Sequence, residues 1–153
     1  MTRVPGSALG GALTLSAALG FGAAALADEA VAPARLDADK MAGLGLTAIP
    51  PDAYRDILVG GELNMRVATL FEGKELRVSI FESTPAKTDH RTRATDVDEF
   101  VYVLSGKLIL TEPSGTRHEF LPGQSLVLPV GYKGTWEMQG NYRELVVLAQ
   151  KGK

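Results

Sequence analysis

Residues 98–136 read DEFVYVLSGKLILTEPSGTRHEFLPGQSLVLPVGYKGTW, and their punctuation decides the fold. Glu99 to Leu104 is apolar on both faces, as expected of a strand in the middle of a sandwich. Gly106 breaks that run and Lys107 to Glu112 resumes it. Pro113-Ser114-Gly115 is a turn chemistry that hands the chain to Thr116–Leu121. Pro122-Gly123 turns it again into Ser125–Leu128, and Pro129 ends the pairing because it has no N–H to donate.

The same rhythm extends in both directions. Leu63 to Leu70 reads as a strand. Glu75 to Glu82 alternates, with Leu76, Val78 and Ile80 on one face and Arg77 and Ser79 on the other. Thr135–Gln139, a Gly140-Asn141 turn and Arg143–Gln150 complete the series. Eight or more short strands with hardly any helical periodicity predict one all-β, antiparallel sandwich or barrel over residues 57–150. No internal repeat is visible. Residues 28–56 read as a linker or edge segment: Asp37 can cap a short helix, Gly43 and Gly45 stop it, and Pro50-Pro51 is extended.

Bulk properties narrow the function. The 153-residue chain has net charge −2 with both signs interspersed, so no basic stripe suits nucleic acid. It has no cysteine, which excludes disulfides, thiolate metal sites and thiol nucleophiles. The first 27 residues have the layout of a secretory signal peptide: Arg3 near the start, an uncharged Ala/Leu/Gly run from Ala8 to Ala24, then Ala25-Leu26-Ala27 before Asp28-Glu29. Cleavage after Ala27 predicts a secreted or periplasmic chain of 126 residues and net charge −3, with no stable membrane anchor.

Three spacings carry a family resemblance. Glu99 is followed by six residues and Gly106; Gly123 by five residues and Pro129; Pro129 by one residue and Gly131. Together they resemble the two motifs of the cupin superfamily. The phrase Gly131-Tyr132-Lys133-Gly134-Thr135-Trp136-Glu137 is similar to the ureidoglycine-aminohydrolase-like subgroup. The resemblance implies a single jelly-roll (cupin, RmlC-like) barrel with a tapered pocket between its sheets. In the metal-binding cupins it also implies a His-X-His pair and a Glu from the first motif and a third His from the second, holding Mn, Fe, Ni or Zn.

Carried onto this chain, the glutamate is Glu99. The His-X-His slots fall on Arg93 and Thr95, or on Thr92 and Ala94 with a longer gap, and the third falls on Gly134. One donor of four survives, so no metal of the family type and no other cofactor is expected. His90 and His118 are the other candidates for an atypical metal site. His90 reads as part of a polar loop, Lys87–Arg91, and His118 as part of an exposed hairpin.

Strand parity places Glu99, Val101, Trp136 and Met138 on the inner face, with Arg93 sharing the parity of Glu99. Two roles fit an Arg93–Glu99 pair: a buried ion pair replacing the metal, or a clamp in which Arg93 grips a carboxylate and Glu99 acts as acceptor or base. The leading expectation is a metal-free pocket for a small molecule, such as a carboxylate or ureide. The alternatives are a cupin-type enzyme (a metal-assisted amidohydrolase or isomerase, or a metal-free lyase or epimerase with Glu99 as base) and a structural module that forms a homodimer.

Overall fold

Two long strands, β6 (Glu99–Thr111) and β9 (Thr135–Ala149), form the frame. A computed structural model describes residues 32–150 of the chain. The predicted signal peptide lies outside the described residues. The sequence predicts breaks at Gly106 and at Gly140-Asn141; the strands instead bend there and continue. Gly106 takes φ 71° and Gly140 φ 68°, a region closed to most side chains. Register shifts flank Ser105, so the ladder is disturbed at the bend but not ended.

Each half of these two strands then has a different outer neighbour. The first half of β6 lies between β8 (Ser125–Leu128) and the second half of β9; its second half lies between β7 (Arg117–Phe120) and the first half of β9. β9 in turn pairs its first half with β5 (Ala86–Asp89) and its second with β4 (Leu76–Ser83). β3 (Met65–Glu72) and the two-residue β1 (Thr47–Ala48) extend the β4 side, and β2 (Leu58–Gly61) extends the β5 side. Among the described residues every pairing is antiparallel, and the result is one nine-stranded sheet curled upon itself, in keeping with a jelly roll.

The edge segment behaves largely as its sequence dictates. Asp37 caps a single helical turn, α1 (Ala38–Met41), by accepting from the N–H groups of Asp39 and Lys40 at 2.9 and 3.1 Å. Pro51–Ala53 forms a 3-10 turn that delivers Tyr54 to the interior, where its hydroxyl donates to Leu63 O at 2.9 Å. Val101, Val103, Leu108 and Leu110 are all at most 2% exposed and pack the interior along β6.

One expectation is overturned here. Lys87–Arg91 is not simply a polar loop, because its first three residues belong to β5, with Ala86 and Thr88 buried and Lys87 and Asp89 half-buried. Lysine and aspartate carry little strand propensity, but pairing with β9 from Ala86–Met138 to Asp89–Thr135 fixes them.

The bend at Gly106 leaves no room for a side chain: a Cβ there would sit 2.6 Å from Gln139 O and 2.7 Å from Tyr142 Cα, both backbone atoms. Gly106→Ala therefore combines strain with a backbone clash, and should cost about 3 kcal/mol, or ~10 °C in melting temperature. Gly115, at φ 91° with open space around it, is the control: Gly115→Ala should cost only about 1 kcal/mol. Thermal denaturation by circular dichroism, with equal losses in the two variants, would show that the crossing of β6 and β9 is not tight.

Candidate functional site

A cavity of about 450 Å³ lies between the two flanks of the curled sheet. The alternation along β9 supplies one wall: Trp136 and Met138 before the bend, Tyr142, Glu144, Val146 and Leu148 after it. Glu99 at the start of β6 and Arg77 and Phe81 on β4 face the same space, as does His90 just past β5. A second, adjoining space of about 340 Å³ shares His90, Arg93, Glu99 and Trp136 and opens towards Ala53 and Thr95. A third, of about 460 Å³, shares Arg77, Glu99 and Leu148 and opens towards Glu72 and Gln150. Glu99 stands at the junction of all three.

The residues selected from the sequence divide as follows. Glu99, Trp136 and Met138 line the main cavity. Val101 points inward but is fully buried in the core, and is not among the residues lining that cavity. Arg93 reaches the rim without meeting Glu99: its Nη1 donates to Ala53 O at 3.3 Å and lies 3.8 Å from Asp56 Oδ1. The expected Arg93–Glu99 pair is therefore not formed, because the chain turns at His90 (Arg93 N to His90 O, 3.1 Å) and aims the guanidinium at the 3-10 turn. His118 is an exposed partner of Glu112, 2.7 Å away on the β6–β7 hairpin.

His90 is the residue the sequence undervalued. Its backbone N–H donates to Gly134 O at 2.8 Å, and its ring packs on the Trp136 indole with centroids 5.1 Å apart. Nε2 lies 3.0 Å from Thr88 Oγ1. Burial, followed by the nearby Arg93 charge, lowers its pKa and favours the neutral ring. The indole Nε1 of Trp136 is buried and has no hydrogen-bond partner among the described residues.

Two more functional candidates, Tyr142 and Glu144, come from the part of β9 beyond Gly140. The Tyr142 hydroxyl donates to Glu144 Oε2, and both groups are almost fully enclosed. Desolvation is the main cause that pushes the Glu144 carboxyl up to about 7; the Tyr142 hydrogen bond opposes it and the Glu99 charge adds to it. Glu99 is itself raised to about 7 by desolvation, with Asp96 adding a smaller push. The site thus holds two interacting carboxyls that titrate near neutrality. A continued period-2 count from Trp136 through Glu144 finds both new residues; the turn predicted at Gly140-Asn141 interrupts that count.

The positions matching the family's metal ligands do not fit a metal. Thr95 Oγ1 donates to Pro129 O at 2.8 Å and accepts from Tyr132 N–H at 3.0 Å, so it fastens two loops together. A Cβ at Gly134 would meet Thr111 O at 2.5 Å. One carboxylate, an outward guanidinium, an engaged hydroxyl and a glycine are not a transition-metal donor set. Among the described residues, no group of three or more His, Cys, Asp or Glu is placed to hold one.

The two raised carboxyls make folding pH-dependent. Each binds its proton more tightly in the folded chain, so its stabilising effect is complete below 4.5 and is lost as pH rises through about 7. His90 acts in the opposite sense, costing stability as pH falls below the ordinary histidine range. We expect the melting temperature to fall between pH ~5 and ~8, and Glu144→Gln, which still accepts from Tyr142, to flatten that fall. Parallel pH profiles for wild type and variant would dismiss the assignment.

Comparison with known proteins agrees with this fold. Residues 71–144 match the sequence profile of the EutQ-like cupin domain. No curated protein matches the chain. Among solved structures, the EutQ protein of Clostridium difficile superposes with a TM-score of 0.51 at 21% identity, over 62% of this chain and 76% of that one. A protein of unknown function from Pseudomonas syringae pv. tomato gives 0.59 at 23% identity; the alignment covers 67% of this chain but only 43% of that longer one. The polyketide cyclase RemF of Streptomyces resistomycificus gives 0.51 at 22% identity, over 70% of this chain and 75% of its own. With its curled antiparallel sheet and the matched stretch 71–144, the chain has the fold of the cupin superfamily.

Proposed function

We propose that this cupin is a metal-free binding protein for a small, largely apolar molecule that carries a carboxylate, and that it works outside the cytoplasm after loss of residues 1–27. The observation that carries the reading is the cavity of about 450 Å³, walled by Ile57, Met65, Phe81, Met138 and Val146, on which the polar side chains of Arg77, His90 and Glu99 converge. Apolar walls with a few convergent polar groups are what small-molecule sites require.

Arg77 supplies the charge preference. Among the described residues its guanidinium has no ion-pair partner, and it stands where the main cavity meets the opening towards Gln150. A guanidinium there suits a carboxylate, bound through its two parallel N–H donors. The carboxyls of Glu99 and Glu144, largely uncharged below about pH 7, do not repel such a ligand. A ureide stays a candidate through the resemblance of the phrase Gly131–Glu137 to the ureidoglycine-aminohydrolase-like cupins.

Trp136 is the sole tryptophan of the chain, so its emission reports directly on the pocket. Titration with phenylacetate should change that emission saturably, and Arg77→Ala should weaken binding about tenfold, or ~1.4 kcal/mol. Phenylacetamide and hydantoin are the neutral and ureide arms. Silence of Trp136 towards all three compounds would end the binding proposal.

A second reading concerns assembly. Phe71, Val78, Val147, Phe100 and Val127 are successive register partners across β3, β4, β9, β6 and β8, on the face turned away from the cavity. Phe100 is 39% and Val127 64% exposed, an apolar row of the kind that pairs two copies. Light scattering should find a dimer that Phe100→Asp converts to monomer; a wild-type monomer at ~100 μM rejects this assembly.

A further inference from the structure

Building on the ligand reading above, we infer that the pocket is also a catalyst of proton transfer: Glu99 takes a proton from the carbon next to a ligand carbonyl, while Glu144, held by Tyr142, gives one to the carbonyl oxygen. The substrate class is a small carboxylate with an apolar body and a carbonyl α to an acidic C–H.

The assignment follows from placement. Both carboxyls line one cavity, yet their surroundings differ. Glu99 lies where three spaces meet and can exchange its proton with solvent. Glu144 is only 5% exposed, and its recorded hydrogen bond is the one Oε2 accepts from Tyr142, leaving Oε1 for a ligand. Charge on Glu99 raises the proton affinity of Glu144, so ionising the outer group keeps the inner one protonated. Base and acid are thereby set by environment between two chemically identical side chains.

The atoms balance without a co-reactant. The C–H bond breaks and its proton forms an O–H bond on Glu99. The released electron pair becomes a C=C bond as the carbonyl π pair moves to oxygen. That oxygen takes the Glu144 proton, giving an enol, and the Tyr142 hydroxyl holds the carboxylate left behind. In the return step the enol proton goes back to Glu144 and Glu99 reprotonates carbon, on either face, so the net change is a tautomerisation or epimerisation. Tyr142 is a positioning residue here.

Phenylpyruvate combines the three features and is the probe. Protein dialysed against EDTA should speed its enol–keto conversion, followed by the enol's ultraviolet absorption, about 100-fold over buffer, and speed deuterium entry at C3 in D₂O. Glu99→Gln should return both rates to the buffer value. Glu144→Gln should lower kcat at least about tenfold. Tyr142→Phe should lower kcat with little change in KM and move the pH profile. All three variants should keep the saturable Trp136 response to phenylacetate, which shows that the pocket remains folded.

Binding of phenylpyruvate without acceleration overturns the inference and leaves the binding reading standing. Acceleration that survives Glu99→Gln, or that EDTA removes and Mn or Zn restores, overturns it as well. Absence of any phenylpyruvate or phenylacetate binding overturns the ligand class and the inference together.

Discussion

The close crossing of β6 and β9 is the constraint on which the rest of the molecule depends. Gly106 lies against the backbone of Gln139 and Tyr142, and Ser105 Oγ donates to Asn141 O at 2.7 Å across the same point. Because the two strands bend together, each contributes to both flanks of the curled sheet, and the space between the flanks becomes the cavity. Had either chain ended at its glycine, the halves of β9 would be free to shift relative to each other. Trp136 on one half and Glu144 on the other would then share no fixed geometry. Two glycines thus set where a tryptophan and a glutamate meet, an effect of backbone sterics and not of side-chain chemistry.

Inside that frame, desolvation governs the chemistry. A curled sheet with an apolar lining offers few dipoles to a carboxylate, and Glu99 and Glu144 respond by holding protons towards neutrality. The contrast is Glu82 on the outer surface. Its carboxylate receives Arg143 Nε at 2.9 Å and Nη2 at 2.5 Å, together with Arg66, and these hydrogen bonds and charges lower its pKa despite some burial. Glu82 and Glu144 thus take opposite protonation preferences because one meets guanidinium groups and the other a phenol and a second carboxyl.

Much of this was legible in the sequence, and the gaps have physical causes. Glycine and proline spacing marks the strands, and period-2 counting brings Glu99, Trp136 and Met138 into one interior. The count fails at Gly140-Asn141, where a glycine with positive φ serves a bend as readily as a turn, and it thereby misses Tyr142 and Glu144. It fails at β5 because Lys87, Thr88 and Asp89 form a strand only through their pairing with β9, and His90 is carried inward by that pairing. For β4 the alternation is correct, but it does not tell which face looks inward. The face of Val78 and the fully buried Ile80 turns away from the cavity, and Arg77 enters the cavity region. Arg93 misses Glu99 because intervening turns erase strand parity, which holds only while the backbone stays extended.

The loop clasp around Thr95 bears on what else these positions can hold. Thr95 N and O pair with Tyr132 O and Gly131 N at 3.0 and 2.8 Å, while its hydroxyl bridges Pro129 and Tyr132. Grafting imidazoles at positions 95 and 134 would unfasten this clasp at one point and force a side chain into the Thr111 carbonyl at the other. Neither replacement gains anything without the other, while each harms the scaffold by itself. Installing a histidine-rich centre here would therefore pass through less stable single variants, and the hydroxyl at position 95 holds the loops in their present arrangement.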